Sequence, residues 1–245
     1  MTNIAGSAVL ITGGNRGIGR ALVEEALTRG AERVYVGTRV PLTHPDGRVT
    51  PLVLDVTDAD QLRRAAQEVA SHGTLDVLVN NAGVALYDAL DDRSVIERHL
   101  AVNLYGTYDV TRAFLPLLLR SRGAIVNNLS VNSLAPFPLI PAYAVSKAAA
   151  FSLTQSLRAL LSERGVRVHA VLTGPVDTDM SRGIDVPKAS AESVARAVFD
   201  GVEKDEEDIF PDPRSQALAD GWRGGVVKAL ELELAEFSGA EHAAS

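Results

Sequence analysis

Tyr143 and Lys147 stand four residues apart, with Ala144-Val145-Ser146 between them. On a helix that spacing sends both side chains out from one face, so a phenol and an ammonium share a site. A free phenol titrates near pKa ~10 and is a poor proton donor or acceptor at neutral pH, whereas a neighbouring cation favours the phenolate and makes the tyrosine a usable general acid/base. Ser130 lies thirteen positions upstream, after the apolar run Ala124-Ile125-Val126-Asn127-Asn128-Leu129. A strand tip there would set its hydroxyl beside the phenol, and a carbonyl oxygen would meet two donors. By itself, Tyr-x-x-x-Lys also occurs in long helices by chance.

The elements that must position these groups begin with Ala8-Val9-Leu10-Ile11, an apolar run that reads as a strand. Thr12-Gly13-Gly14-Asn15-Arg16-Gly17-Ile18-Gly19 follows, then the helical pattern of Ala21, Leu22, Ala26 and Leu27, which Gly30 closes. Strand, glycine turn and helix is the order a nucleotide site needs. The glycines let the backbone approach a pyrophosphate, and the first helical N–H groups and the helix dipole face the anion. A second strand, Arg33 to Arg39, ends without a carboxylate to bond a ribose 2′-OH. Arg39, with Arg16 from the glycine loop, is suited to clamp a 2′-phosphate, which points to NADP; the alternative is two solvated surface arginines.

Residues 40–48 are too few and too rich in Pro and Gly for a full crossover helix, so the second crossover is expected to be stunted. Val49 to Leu54 is the third strand, and Asp55-Val56-Thr57-Asp58 leads into a helix through about Ala70. Asp55 either contacts an adenine amino group at the strand's carboxyl end or serves as a helix N-terminal acid. Leu75 to Val79 forms the fourth strand, closed by Asn80-Asn81-Ala82-Gly83, whose small residues admit a cofactor or whose asparagines only bond backbone.

A long helical pattern from Ser94 to Arg120 contains Asn103 and Gly106, both poor interior formers. Asn103 either bonds neighbouring backbone and bends the helix or holds a water that leads toward Lys147. The strand ending at Ser130 is followed by a loop rich in apolar residues, among them Leu134, Phe137, Leu139 and Ile140, some of which are expected to line a pocket beside the tyrosine. The helix carrying Tyr143 and Lys147 runs to about Arg164, and Gly165 ends it. Val166 to Leu172 is a sixth strand, followed by Thr173-Gly174-Pro175-Val176-Asp177-Thr178 at its carboxyl end. Ser190 caps the next helix, Asp208 to Pro211 makes a last short strand, and glycine breaks at Gly221 and Gly224-Gly225 precede a helix from Val226 to Phe237.

With 245 residues, 46% of them hydrophobic, the chain can bury a sizeable core and is expected to form one α/β domain over 1–245. A net charge of −7 with no basic cluster argues against nucleic acid as a partner. The absence of cysteine removes disulfides, thiol catalysis and Cys-ligated zinc, and the five histidines show no metal-ligand spacing, so no metal is expected. No apolar run reaches spanning length and no leader pattern is visible, which points to a cytoplasmic protein away from the membrane.

Together, Thr12-Gly13-x-x-x-Gly17-x-Gly19, Asn80-Asn81-Ala82-Gly83, Asn103, Ser130, Tyr143-x-x-x-Lys147 and Gly174-Pro175-Val176-Asp177-Thr178 resemble the short-chain dehydrogenase/reductase family over most of the chain. The resemblance implies a Rossmann-type, doubly wound parallel sheet of seven strands in the order 3-2-1-4-5-6-7, with helices on both faces. It implies an NADP(H)-dependent oxidoreductase that moves a hydride between nicotinamide C4 and a carbonyl or secondary alcohol. Tyr143 would give or take the carbinol proton, Ser130 hold the carbonyl oxygen, Lys147 bind the nicotinamide ribose and lower the tyrosine pKa, and Asn103 order a relay water. Gly13, Asn15, Arg16, Gly17, Ile18, Gly19, Arg39, Asp55, Val56, Asn81, Ala82, Gly83, Gly174, Val176 and Thr178 would join Tyr143 and Lys147 around the cofactor. Thr173 stands where the family usually has proline. A homo-oligomer, tetramer or dimer, is expected from the helices holding Leu115 to Leu119 and Ala148 to Ala150.

The apolar loop after Ser130, with Ala85, Leu86 and Tyr87, suits a hydrophobic ketone or aldehyde; Arg182 or Lys188 is the alternative, as the cation that would bring in an anionic group. Two other readings are a non-catalytic NADP-binding regulator, which a filled tetrad argues against, and a nucleotide-sugar epimerase or dehydratase, which the spacing from Gly13 to Gly19 argues against.

Overall fold

The computed structural model describes residues 2–40 and 42–235. Seven parallel strands form one sheet: β1 (Ala8–Thr12), β2 (Arg33–Thr38), β3 (Val49–Val53), β4 (Val77–Asn80), β5 (Ala124–Asn128), β6 (Arg167–Val171) and β7 (Asp208–Ile209). Their order is β3-β2-β1-β4-β5-β6-β7, as the resemblance implied. Near-continuous apolar runs make these strands because helices cover both faces of a parallel sheet and leave neither for water.

The pleat sorts each run between two cores. Val9 and Ile11 of β1, Val34 and Val36 of β2, and Val77 and Val79 of β4 pack under α1 (Gly17–Thr28) and α6 (Ala191–Glu203). Leu10, Tyr35 and Leu78, the residues between them, pack on the opposite face against α2 (Ala59–Ser71) and α4 (Thr107–Ser121). These three are also register partners across β2-β1-β4, so each layer of the sheet closes on aligned side chains.

The connection from β2 to β3 contains no helix among its described residues. Arg48 holds it instead, bonding the Asp46 carboxylate at 2.7 Å and the carbonyl oxygens of Leu27 and Ala31 at 3.1 and 3.2 Å. The shortened crossover is therefore pinned to the end of α1.

Two expectations are corrected. The span read as one helix from Ser94 to Arg120 is α3 (Arg93–Leu100), a π-helical segment Ala101–Gly106, and α4. Gly221 does not break the chain; it lies inside α7 (Pro213–Arg223), a helix not anticipated, which Asp212 caps and Pro213 opens at its first turn. The cost of one interior glycine, about 1 kcal/mol against alanine, is small beside that capping and the burial of Ser215 and Ala219.

The longest helix, α5 (Pro141–Leu161), carries the tyrosine and lysine, and Ser190 caps α6 by accepting from Ser193 N at 3.1 Å, as expected. The last described helix, α8 (Val226–Ala235), stops where description stops, so the expected end at Phe237 lies outside the described residues. Lys228 of α8 bonds Glu207 at 2.7 Å and Asp208 at 2.9 Å, which ties the C-terminal helix to the sheet edge. Among the described residues no helix is long and apolar enough to cross a membrane.

Candidate active site

The glycine loop joins β1 to α1 and opens into a cleft of about 720 Å³ along the carboxyl edge of the sheet. Gly13 has φ +67°, a conformation side-chained residues rarely adopt, and a Cβ on it would meet Ala82 Cα at 3.0 Å. A Cβ on Gly19 would lie 2.1 Å from the Gly13 carbonyl oxygen, so backbone packs against backbone there. α1 begins at Gly17 with no side chain capping it, and Gly17, Ile18 and Gly19 all line the cleft. Uncapped first-turn N–H groups with the positive end of the helix dipole are suited to a pyrophosphate, so the residues present fit a dinucleotide.

The side-chain amide of Asn81 donates to the carbonyls of Thr12 and Gly13 at 3.0 and 3.2 Å. Thr12 Oγ1 accepts from the backbone N–H groups of Asn81 and Ala82, both at 3.0 Å. Asn81 of the Asn-Asn-Ala-Gly turn thus donates to backbone, whereas Asn80 donates to Thr111 Oγ1 at 3.0 Å and Asn127 Oδ1 at 2.8 Å; the turn itself forms a wall of the cleft. Arg39 reaches the cleft from the end of β2 and is exposed; Arg16 reaches it from the loop, 3.5 Å from the Asp179 carboxylate. Asp55 also lines it, its carboxylate accepting from Thr57 N at 2.9 Å and Thr57 Oγ1 at 2.7 Å.

Tyr143 and Lys147, on one face of α5, are both buried. Lys147 Nζ donates to the Asn128 carbonyl at 2.7 Å and sits 5.8 Å from the centre of the Tyr143 ring. Burial pushes the Tyr143 phenol up to about 12, with a hydrogen bond from Ser130 pulling the other way. Burial lowers Lys147 to about 8. Loss of solvent is the largest influence on the phenol and acts opposite to the lowering expected from Lys147, and the phenol is protonated across the neutral range.

Asn103 alone among the expected site residues does not line the cleft; it is buried beneath it. Its Oδ1 accepts from Val84 N at 2.9 Å, and its Nδ2 donates to Val84 O at 3.0 Å and Ser146 Oγ at 2.9 Å. Ser146 donates in turn to Tyr143 O at 2.7 Å, so the π-helical segment is joined to α5 between its two reactive residues. Thr107 Oγ1 caps the Asn103 carbonyl at 3.0 Å, and a Cβ on Gly106 would meet Val56 Cγ2 at 2.6 Å. Wide turns of this kind cluster at functional sites, and here one lets the helix reach two loops at once.

Phe137, Ile140, Ala85 and Tyr87 line the same cleft as Ser130 and Tyr143, with Met180, Ile184 and Val186 of the segment after β6. Leu134 packs instead against the core cluster at β6, Leu139 is exposed, and Leu86 gives its N–H to His99 Nε2 at 3.0 Å. Neither alternative cation faces the cleft: Arg182 pairs with Asp179, and Lys188 donates to the Ser181 carbonyl at 2.9 Å. Lining residues to which the sequence assigned no contact include Asn128, Thr173 and Arg214. The last sits in the unanticipated helix, so its signal was the Asp-Pro cap that opens α7.

The fold and this cleft define a nucleotide-binding α/β oxidoreductase. A family model for short chain dehydrogenases matches residues 7–188, and the chain belongs to that family. The short chain dehydrogenase pigC of Monascus ruber is 36% identical over 202 residues, covering 75% of this chain and 67% of its own. A short chain dehydrogenase from Burkholderia cenocepacia, solved in complex with NADP, superposes with a TM-score of 0.85 at 34% identity, covering 95% of this chain and 98% of the other. ElxO, solved with NADP bound, gives 0.78 at 25% identity over 86% and 99%.

Proposed function

We propose that the protein is an NADP(H)-dependent reductase of hydrophobic ketones or aldehydes, one domain holding cofactor and substrate. When bound, the nicotinamide supplies or accepts the hydride at C4. The reading rests on one observation: every expected site residue except Asn103 lines a single cleft, which also carries the apolar side chains of Phe137, Ile140, Met180 and Ile184. In reduction the Tyr143 O–H, protonated at neutral pH, passes its proton to the carbonyl oxygen as the carbon gains the hydride, and the alcohol forms with charge balanced. Ser130 donates a hydrogen bond to that oxygen. Lys147 lies where its ammonium offsets the phenolate left behind, and Arg16 and Arg39 neutralise a 2′-phosphate. NADP in the related structures supports the cofactor assignment.

The test is kcat/KM across neutral ketones of increasing size beside carboxylate-bearing analogues of matched size. Burial of apolar surface contributes roughly 25 cal/mol per Å², so kcat/KM should rise with the apolar group. A consistent preference for the carboxylates would overturn the substrate class, and NADPH binding without turnover of any carbonyl would indicate a regulator.

A homo-oligomer belongs to the same proposal. Leu117, Leu118 and Ala150 serve the core, but Val145, Ala148, Ser152 and Leu160 form an exposed stripe of small and apolar residues on α5, and Tyr105 of the π-helical segment and Tyr108 of α4 are exposed. Light scattering is expected to give a multiple of the 26.0 kDa chain, and a monomer mass at micromolar concentration would reject it.

A further inference from the structure

The four strands at the centre of the sheet, β1, β4, β5 and β6, are consecutive neighbours, and their carboxyl ends are laced together by side chains. Thr173, just beyond β6, donates from Oγ1 to Asn128 Oδ1 at 3.0 Å. Asn128, the last residue of β5, donates from Nδ2 to Asn81 Oδ1 at 2.9 Å. Asn81, just beyond β4, donates to the Thr12 and Gly13 carbonyls at the end of β1.

The polarity of this line is fixed from one end to the other. Both ends of the Asn81 amide are committed: its N–H groups face two backbone carbonyls, leaving Oδ1 to accept. Asn128 must therefore present Nδ2 to Asn81 and turn Oδ1 toward β6, where only a donor satisfies it. The Thr173 hydroxyl is that donor, in a residue 5% exposed. The backbone carbonyl of Asn128 is also the acceptor that receives Lys147 Nζ, and Thr173 is followed directly by Gly174 of the expected nicotinamide-facing turn.

From this geometry we infer that Thr173 is a positioning residue for the cofactor site: through Asn128 it fixes the glycine loop, the Lys147 acceptor and the Gly174-Pro175-Val176 turn relative to one another. The inference rests on the proposed NADP(H) site. Without the hydroxyl, Asn128 Oδ1 loses its donor at a half-buried position while Asn81 still holds Nδ2, so the line is cut from β6 and from the turn that follows Thr173.

The experiment compares Thr173→Val, which keeps the shape and loses the donor, with Thr173→Ser, which keeps the donor. NADPH affinity is read by fluorescence titration and folding by Tm without nucleotide. Valine is expected to weaken NADPH binding roughly tenfold and serine to stay within about twofold of wild type. In an Asn128→Leu background, the Thr173→Val change should cost little more, because the line is already cut. NADPH affinity unchanged by valine, equal loss with serine and valine, or a valine effect of the same size in the Asn128→Leu background would each overturn the inference. Wild-type protein that binds no NADPH would overturn the proposed function itself, an outcome distinct from all three.

Discussion

The ammonium of Lys147 stands 5.8 Å from the centre of the Tyr143 ring, and burial moves the two groups in opposite directions, the lysine down to about 8 and the phenol up to about 12. At neutral pH the tyrosine is a loaded acid, the state that carbonyl reduction needs. Tyr143→Phe removes the proton and keeps the packing. It should bind NADPH as wild type does and lose about 10²–10⁴-fold in kcat, measured by steady-state NADPH oxidation; near-wild-type kcat would remove Tyr143 from the reaction.

The same pair sets a pH dependence of stability. Lys147 falls from its ordinary 10.5 to about 8, so the folded protein binds fewer protons than the unfolded chain between those values, and stability rises with pH through that window. Tyr143 rises from 10.0 to about 12, so the folded protein binds more protons there, and stability falls as pH climbs above 10. Thermal melts without nucleotide should show Lys147→Met flattening the first change and Tyr143→Phe the second. A Lys147→Met curve parallel to wild type through the first window would disprove the lysine assignment.

Arg39 lines the cleft at the end of β2, and the strand offers no carboxylate for a ribose hydroxyl. Arg39→Asp is expected to lower kcat/KM with NADPH, raise it with NADH and reverse their ratio, since charge-assisted bonds to phosphate are lost and an acceptor for the 2′-OH appears. An unchanged ratio would mean the phosphate is held elsewhere.

Gly19→Ala places a methyl group 2.1 Å from the Gly13 carbonyl oxygen and 2.5 Å from Asn81 Nδ2. The carbonyl is backbone and the Asn81 amide is tied to the Thr12 and Gly13 carbonyls, so the loop must shift. NADPH affinity should fall by roughly tenfold or more, with a smaller drop in Tm, read by titration and thermal melt. Retained affinity would show that the loop yields without disturbing the site.

The sequence by itself determined the parts of this protein that are local or repeated in order along the chain. The glycine turn between an apolar run and a helix, the i,i+4 pair on α5, the serine at a strand end and the lack of a helix among the described residues between Arg39 and Val49 all follow from spacing and residue type, and with the family resemblance they extend to the order of the sheet. Tertiary structure decided what depends on partners brought from elsewhere. The π-helical segment exists because Asn103 finds the Val84 backbone and Gly106 finds Val56, contacts no periodicity encodes. The upward push on the Tyr143 phenol follows from how much water the fold removes, opposite to the lowering expected from a nearby cation. The line from Thr173 through Asn128 to Asn81 joins residues more than forty positions apart, and only a parallel sheet that sets the ends of β1, β4, β5 and β6 side by side turns three unremarkable polar residues into one hydrogen-bonded support.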